Sequence, residues 1–156
     1  MRAQVKPCIL ISAFNKDAPN SESVNAHIAL GISLNSHNYP ICEASGKYTY
    51  ADGRTMLEDC YIVSLDAWAT ESRDIAQLSA IAAEFGQESL LYLDEERNAT
   101  LIIVDTGERI PLGWMKACTL AEAEKSKGYT LVSGVYHTIT DEQRYYGINV
   151  KADRRG

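Results

Sequence analysis

The stretch Ala83-Glu84-Phe85-Gly86-Gln87-Glu88-Ser89-Leu90-Leu91-Tyr92-Leu93 contains a change of period. An alanine-rich pattern at helical spacing stops at Gly86, and an apolar strand pattern starts at Ser89. Glycine just past a helix end is expected, because it accepts the left-handed backbone that closes the last turn. Gln87 and Glu88 fit neither pattern. Polar side chains between two rigid elements are well placed to serve a site.

Working outward, the preceding helix spans about Ser72 to Phe85, with Ile75, Leu78, Ile81, Ala82 and Phe85 as its apolar stripe. Before it, Met56 to Leu65 reads as a strand. Ala51-Asp52-Gly53-Arg54 is a hairpin turn carrying the Asp-Gly signal, and Ile41 to Tyr50 is its partner strand, with Tyr48 and Tyr50 on one face. The first strand is Val5 to Phe14, whose run Cys8-Ile9-Leu10-Ile11 suits a strand buried on both faces. Asn20 or Ser21 caps a helix to about Asn35, in which Val24, Ile28 and Ile32 form a stripe with Leu34 near its edge.

Downstream, Ser89 to Leu93 and Ala99 to Val104 are strands joined by a polar turn. The pattern then weakens. Leu120 to Lys127 reads as a short helix or an irregular charged segment, Tyr129 to Thr140 as one strand containing Gly134, and Tyr145 to Val150 as an edge strand. The leading order β-α-β-β-α-β predicts an α+β fold, a ferredoxin-like antiparallel sheet with two helices on one face and extra C-terminal strands. The whole chain, residues 1–156, is expected to form one domain. An uncovered edge or face on so small a sheet favours a closed oligomer.

Composition narrows the function classes. The formal net charge is −6 and the sequence pI is near 5.0, which argues against a nucleic-acid backbone as partner. The one basic cluster, Lys151, Arg154 and Arg155, reads as a solvated tail. No apolar run approaches the roughly 18–20 residues of a membrane span. The short apolar run after Met1-Arg2 does not look like a cleaved signal, so cytoplasmic residence is expected. Cys8, Cys42, Cys60 and Cys118 form no CxxC pair and read as buried free thiols. His27, His37 and His137 are scattered, so no metal site is expected.

Four groups could carry chemistry. Glu58 and Asp59 interrupt the apolar run of the third strand; alternation sends them to opposite faces, so one carboxylate points to the interior or an interface. There it needs a cation or hydrogen bonds, since burying a bare carboxylate costs several kcal/mol. The others are Gln87 with Glu88, Tyr48 with Tyr50, and Phe14 with Asn15. Each has a plain structural reading: a solvated edge strand, a polar loop, strand packing, or a core residue beside a turn. No phosphate loop, GxGxxG or GxSxG occurs.

Taken together, Ser12-Ala13-Phe14-Asn15 after the first strand, a tyrosine-rich second strand, a carboxylate in the third and Phe85-Gly86-Gln87-Glu88 before the fourth resemble the phage S-adenosylmethionine lyases, formerly called hydrolases. Tyr39-Pro40-Ile41-Cys42-Glu43 and Gly134-Val135-Tyr136-His137-Thr138-Ile139 are also similar, and the likeness spans roughly residues 9–150. The resemblance implies a PII-like homotrimer with sites between subunits. It implies cleavage of S-adenosylmethionine to 5′-methylthioadenosine and homoserine lactone, an anti-restriction role and no cofactor. The implied catalytic set is Glu58 on the substrate ammonium, Tyr48 near the sulfonium, and Gln87 orienting the methionine moiety or ribose. Glu88, Phe14 and Tyr50 are the implied binding residues, and Glu43 and Asp59 are reserves for the acidic role. The competing expectations are a non-catalytic PII-like trimeric sensor of an adenine-containing ligand, and an inhibitory protein that binds a host enzyme.

Overall fold

The structure, a computed structural model, describes residues 6–15, 17–49, 53–65 and 70–142. In chain order its elements are β1 (Cys8–Ser12), α1 (Asn20–Ser36), β2 (Ile41–Thr49), β3 (Thr55–Ser64), α2 (Glu71–Glu84), β4 (Ser89–Leu93), β5 (Asn98–Ile103), β6 (Arg109–Cys118), α3 (Leu120–Lys125), β7 (Gly128–Val132) and β8 (Val135–Thr140). The expected strand from Tyr145 to Val150, the residue Tyr50 and the basic tail lie outside the described residues.

The strands do not form the open ferredoxin-like, PII-like sheet that the leading β-α-β-β-α-β order predicts. They close into an antiparallel barrel in the order β1-β3-β2-β7-β8-β6-β5-β4, with β4 returning to β1. Both edges of the expected sheet are occupied: β5 pairs with β4, and β7 pairs with β2 through Ser45↔Leu131 and Gly46↔Thr130. The residues that permit closure lie in β6. Ala99 faces Gly113 while Thr100 faces Pro111, so Leu112 is an extra residue in a bulge. Bulges bend the strand that carries them and are among the few places where proline is tolerated within a sheet. Gly113 has φ +114°, and a Cβ there would meet the Thr140 carbonyl oxygen at 2.2 Å, so only glycine lets β6 lie this close to the end of β8.

The segment read as a single strand from Tyr129 to Thr140 is the β7–β8 hairpin. Ser133 (φ 48°) and Gly134 (φ 79°) both take positive φ, which suits the tight right-twisted turn of a two-residue hairpin.

Two apolar cores result. One fills the barrel: Cys8, Leu10, Ala44, Cys60, Leu93 and Ala99 pack with Ile62, Leu91, Met115, Val132 and Ile139, and all eight strands contribute. Small side chains predominate among its fully buried members, as the narrow bore of an eight-stranded barrel requires. The other lies outside the barrel wall, where Ile9, Ile11, Tyr61, Val63 and Leu90 meet α1 and α2. On α2 the buried residues are Ile75, Leu78, Ile81 and Ala82, four of the five in the expected stripe; the fifth, Phe85, is the half-buried C-cap residue. On α1 they are Ser23, His27, Leu30, Gly31 and Leu34, whereas Val24, Ile28 and Ile32 remain 45%, 54% and 66% exposed. The α1 start also differs from expectation: Pro19 is the N-cap residue and no side chain caps the helix.

Of the cysteines, Cys8 and Cys60 are buried, Cys118 is half-buried and Cys42 is exposed, which corrects the expectation for Cys42. Among the described residues, no helix is long and apolar enough to cross a membrane.

Candidate active site

At the α2–β4 junction the helix ends in a Schellman arrangement. Gly86 takes φ +70°, its N–H donates to the Ala83 carbonyl at 3.1 Å, and the Gln87 N–H donates to the Ala82 carbonyl at 3.0 Å. This fixes Gln87 at the end of the helix. Its side-chain Nε2 then donates to the Phe14 carbonyl at 3.0 Å, across a separation of 73 residues in sequence.

Phe14 is held from other sides too. Its N–H donates to Ser12 Oγ at 3.0 Å, and Ser12 Oγ donates to the Asp59 carbonyl at 3.0 Å. The next residue, Asn15, donates its N–H to the buried Ser23 Oγ at 3.2 Å, tying the loop to α1. The segment leaving β1 is thus pinned to β3, α1 and the α2–β4 junction. Its buried aromatic ring meets the His27 ring edge-on, with centroids 6.0 Å apart at 70°.

Phe14 lines a cavity of about 420 Å³ whose other walls include Glu58, Asp59, Leu57, Val24 and Tyr129. Glu58 is buried and Asp59 is exposed, so the strand separates them. Opposite Glu58 on β2 stands Gly46, which adds no side chain above the carboxylate and itself lines the cavity. Next along β3, the buried Cys60 thiol is pushed up to about 12, first by burial and then by the Glu58 and Asp59 carboxylates. Both effects disfavour the thiolate, the nucleophilic form of the side chain.

The structure therefore brings Glu58 and Phe14 together in one cavity and links Gln87 to it through the Phe14 carbonyl. It does not bring Glu88 in: that side chain is exposed, and the Glu88 carbonyl accepts from the Val104 N–H at 2.9 Å. Tyr48 pairs along the backbone with Met56 and Gly128; Tyr50 lies outside the described residues. The reserve carboxylate Glu43 points to His27 instead, its Oε1 lying 3.7 Å from Nε2.

Sequence reading missed His27. Its ring is stacked on Tyr61 with centroids 4.2 Å apart and an interplanar angle of 3°, and Tyr61 donates its hydroxyl to the His27 carbonyl at 2.9 Å. Burial, then Glu43 and Asp59, raises the Tyr61 phenol, keeping that donor protonated. The signal available was a histidine one turn from Ser23 and Gly31 on the small-residue face of α1. A second cavity, of about 490 Å³, lies at the far end of α1 and includes Tyr39, Thr70, Arg73, Asp74 and Gln77, none of them among the expected site residues.

The sequence matches the model of the S-Adenosylmethionine lyase family over residues 9–146, most of its length, and the chain belongs to that family. No individual curated protein matches it.

Proposed function

We propose that this member of the S-adenosylmethionine lyase family splits its substrate by intramolecular displacement, with Glu58 as the anchor of the substrate ammonium. The observation that carries the reading is a buried carboxylate and an aromatic ring walling one cavity large enough for a folded small molecule. In the reaction the substrate's own carboxylate oxygen attacks its γ-carbon. The C–S bond breaks, its electron pair goes to sulfur, and 5′-methylthioadenosine and homoserine lactone leave. No proton moves, so no general base is required. A positive sulfonium and a negative carboxylate neutralise each other as the bond forms, and a site that excludes water favours that loss of charge. Holding the methionine chain folded supplies the proximity contribution.

Glu58 accepts a charge-assisted hydrogen bond from the ammonium. Phe14 supplies an apolar wall, and Gln87 acts by holding the Phe14 carbonyl. The second-strand tyrosine, Tyr48 or Tyr50, meets the sulfonium, whose charge an aromatic face attracts. Consuming the methyl donor deprives the host's restriction–modification enzymes of it, which gives a phage-encoded anti-restriction role.

Completion of the site requires a second copy of the chain. The barrel has no free edge, so edge pairing gives no reason to oligomerise. The exposed face of α1 does: Val24, Ile28 and Ile32 form an apolar strip, and Val24 with the 69% exposed Leu57 borders the Glu58 cavity. A subunit seated on this strip would roof the cavity, in keeping with a cyclic homotrimer whose sites lie between subunits.

The deciding experiment incubates purified protein with S-adenosylmethionine and separates the products by chromatography. Methylthioadenosine together with homoserine lactone is expected; absence of both would overturn the reading. Glu58→Gln should lower turnover about 10- to 100-fold, the equivalent of losing one charge-assisted bond of ~1.5–3 kcal/mol. Oxygen-18 water should leave the lactone unlabelled when it is trapped before it opens.

A further inference from the structure

We infer that His27 is a positioning residue for the substrate cavity: its neutral ring holds Phe14 in place, and acidification releases it. The inference rests on the proposed substrate role of Phe14. His27 lies in the middle of the buried face of α1, between the loop that carries Phe14 and the outer wall of the barrel. It touches the one by an edge contact and the other by a parallel stack. No other described ring contact links Phe14 to the rest of the protein.

The two ring nitrogens have different surroundings. Nε2 is 3.7 Å from the Glu43 carboxylate, whose side chain is 75% exposed. Nδ1 is buried and has no hydrogen-bond partner among the described residues. The neutral ring fits when Nε2 carries the proton and points toward Glu43, leaving Nδ1 as an unused acceptor. A second proton must go on Nδ1, where it becomes a buried donor with nothing to accept it.

Among the described residues, the other titratable groups on that face of the barrel are Asp59 and Tyr61 on β3; Glu22 lies in the first turn of α1 and Asp17 in the preceding loop. Glu43 and the Tyr61 ring face favour a positive ring, but neither offers an acceptor to Nδ1. The protonated ring therefore leaves this packing and takes the support of Phe14 with it.

The test measures KM and kcat separately from pH 8 to pH 5 for the wild type and for His27→Gln, which keeps a polar side chain there without an imidazole proton. In the wild type KM should rise on the acid side, approaching tenfold per pH unit for a single linked proton, with kcat changing less. His27→Gln should remove that limb. A wild-type KM that is flat with pH, or the same limb persisting in His27→Gln, would overturn the inference. A readout independent of turnover follows the imidazole and phenylalanine ring signals of the wild type by NMR, assigning His27 by comparison with His37→Gln and His137→Gln. Phe14 signals should shift with the midpoint of His27, and Phe14 signals that stay fixed while His27 titrates would refute the coupling. If the rings titrate together but no product forms, the coupling stands and it is the lyase reading of the cavity that fails.

Discussion

Helices α1 and α2 cover neighbouring strands of the barrel, α1 over β2 and β3 and α2 over β1 and β4, yet they use their apolar residues in opposite ways. α2 buries its aliphatic stripe, Ile75, Leu78, Ile81 and Ala82, and exposes polar residues. α1 buries a face that mixes Ser23, His27 and Gly31 with Leu30 and Leu34, and leaves Val24, Ile28 and Ile32 outside. The difference lies in what each helix must approach. α2 rests on aliphatic strand residues and needs bulk. α1 must come close to a tyrosine of β3, and Gly31 makes room: a Cβ there would lie 2.5 Å from the Tyr61 hydroxyl oxygen. A helix that spends its small and polar residues on close approach has aliphatic residues left for a second surface.

Substitutions can break this contrast, and the stability effects should descend in a set order. Leu78→Ala, in the fully buried stripe of α2, should cost about 2–5 kcal/mol in denaturant unfolding. Gly31→Ala should cost about 1–3 kcal/mol, because the new methyl group must displace a packed tyrosine; loss of the His27–Tyr61 stack should be visible in the near-ultraviolet circular dichroism. Gly86→Ala, which places a side chain at φ +70° where α2 ends, should cost about 1 kcal/mol by thermal unfolding. Ile28→Asp combined with Ile32→Asp should change the unfolding free energy of the single subunit by no more than about 0.5 kcal/mol. In light scattering the same double substitution should reduce the proposed trimer to monomers and abolish turnover. If it instead unfolds the subunit, the two helices are more alike than their exposure indicates.

The same contrast explains what the sequence made legible. α2 has one apolar face, so spacing alone identified its core residues, and Gly86 marked its end. α1 has apolar residues around much of its circumference, and the periodicity selected the branched aliphatic strip over the mixed face that packs. The individual strands through β5 were readable from alternation and turn residues. Their closure was not, because it depends on a bulge at Leu112 and on the fit of Gly113 against Thr140, neither of which leaves a periodic trace. The β7–β8 hairpin is hidden in the sequence because Gly134 alone, inside an otherwise strand-like run, does not distinguish a reversal from an irregularity within one strand. Among the candidate site residues, Glu58 stands out as a charge in an apolar run, and Gln87 as a polar residue with no local purpose. That Gln87 reaches the Phe14 carbonyl, and that His27 touches the same ring, are facts of tertiary contact that no local pattern encodes.

The β2–β7 pairing has a consequence for how the molecule assembles in time. Ser45 and Leu131 are neighbours in the barrel but far apart along the chain. Pairings of that kind must meet a large loop-closure cost before they return any stability, so folding is expected on the millisecond-to-second scale rather than in microseconds. Until β7 and β8 arrive, β2 and β6 each have an unpaired backbone edge. During that interval the chain is most open to pairing with another copy of itself in the wrong way, and dilute conditions should raise the refolding yield.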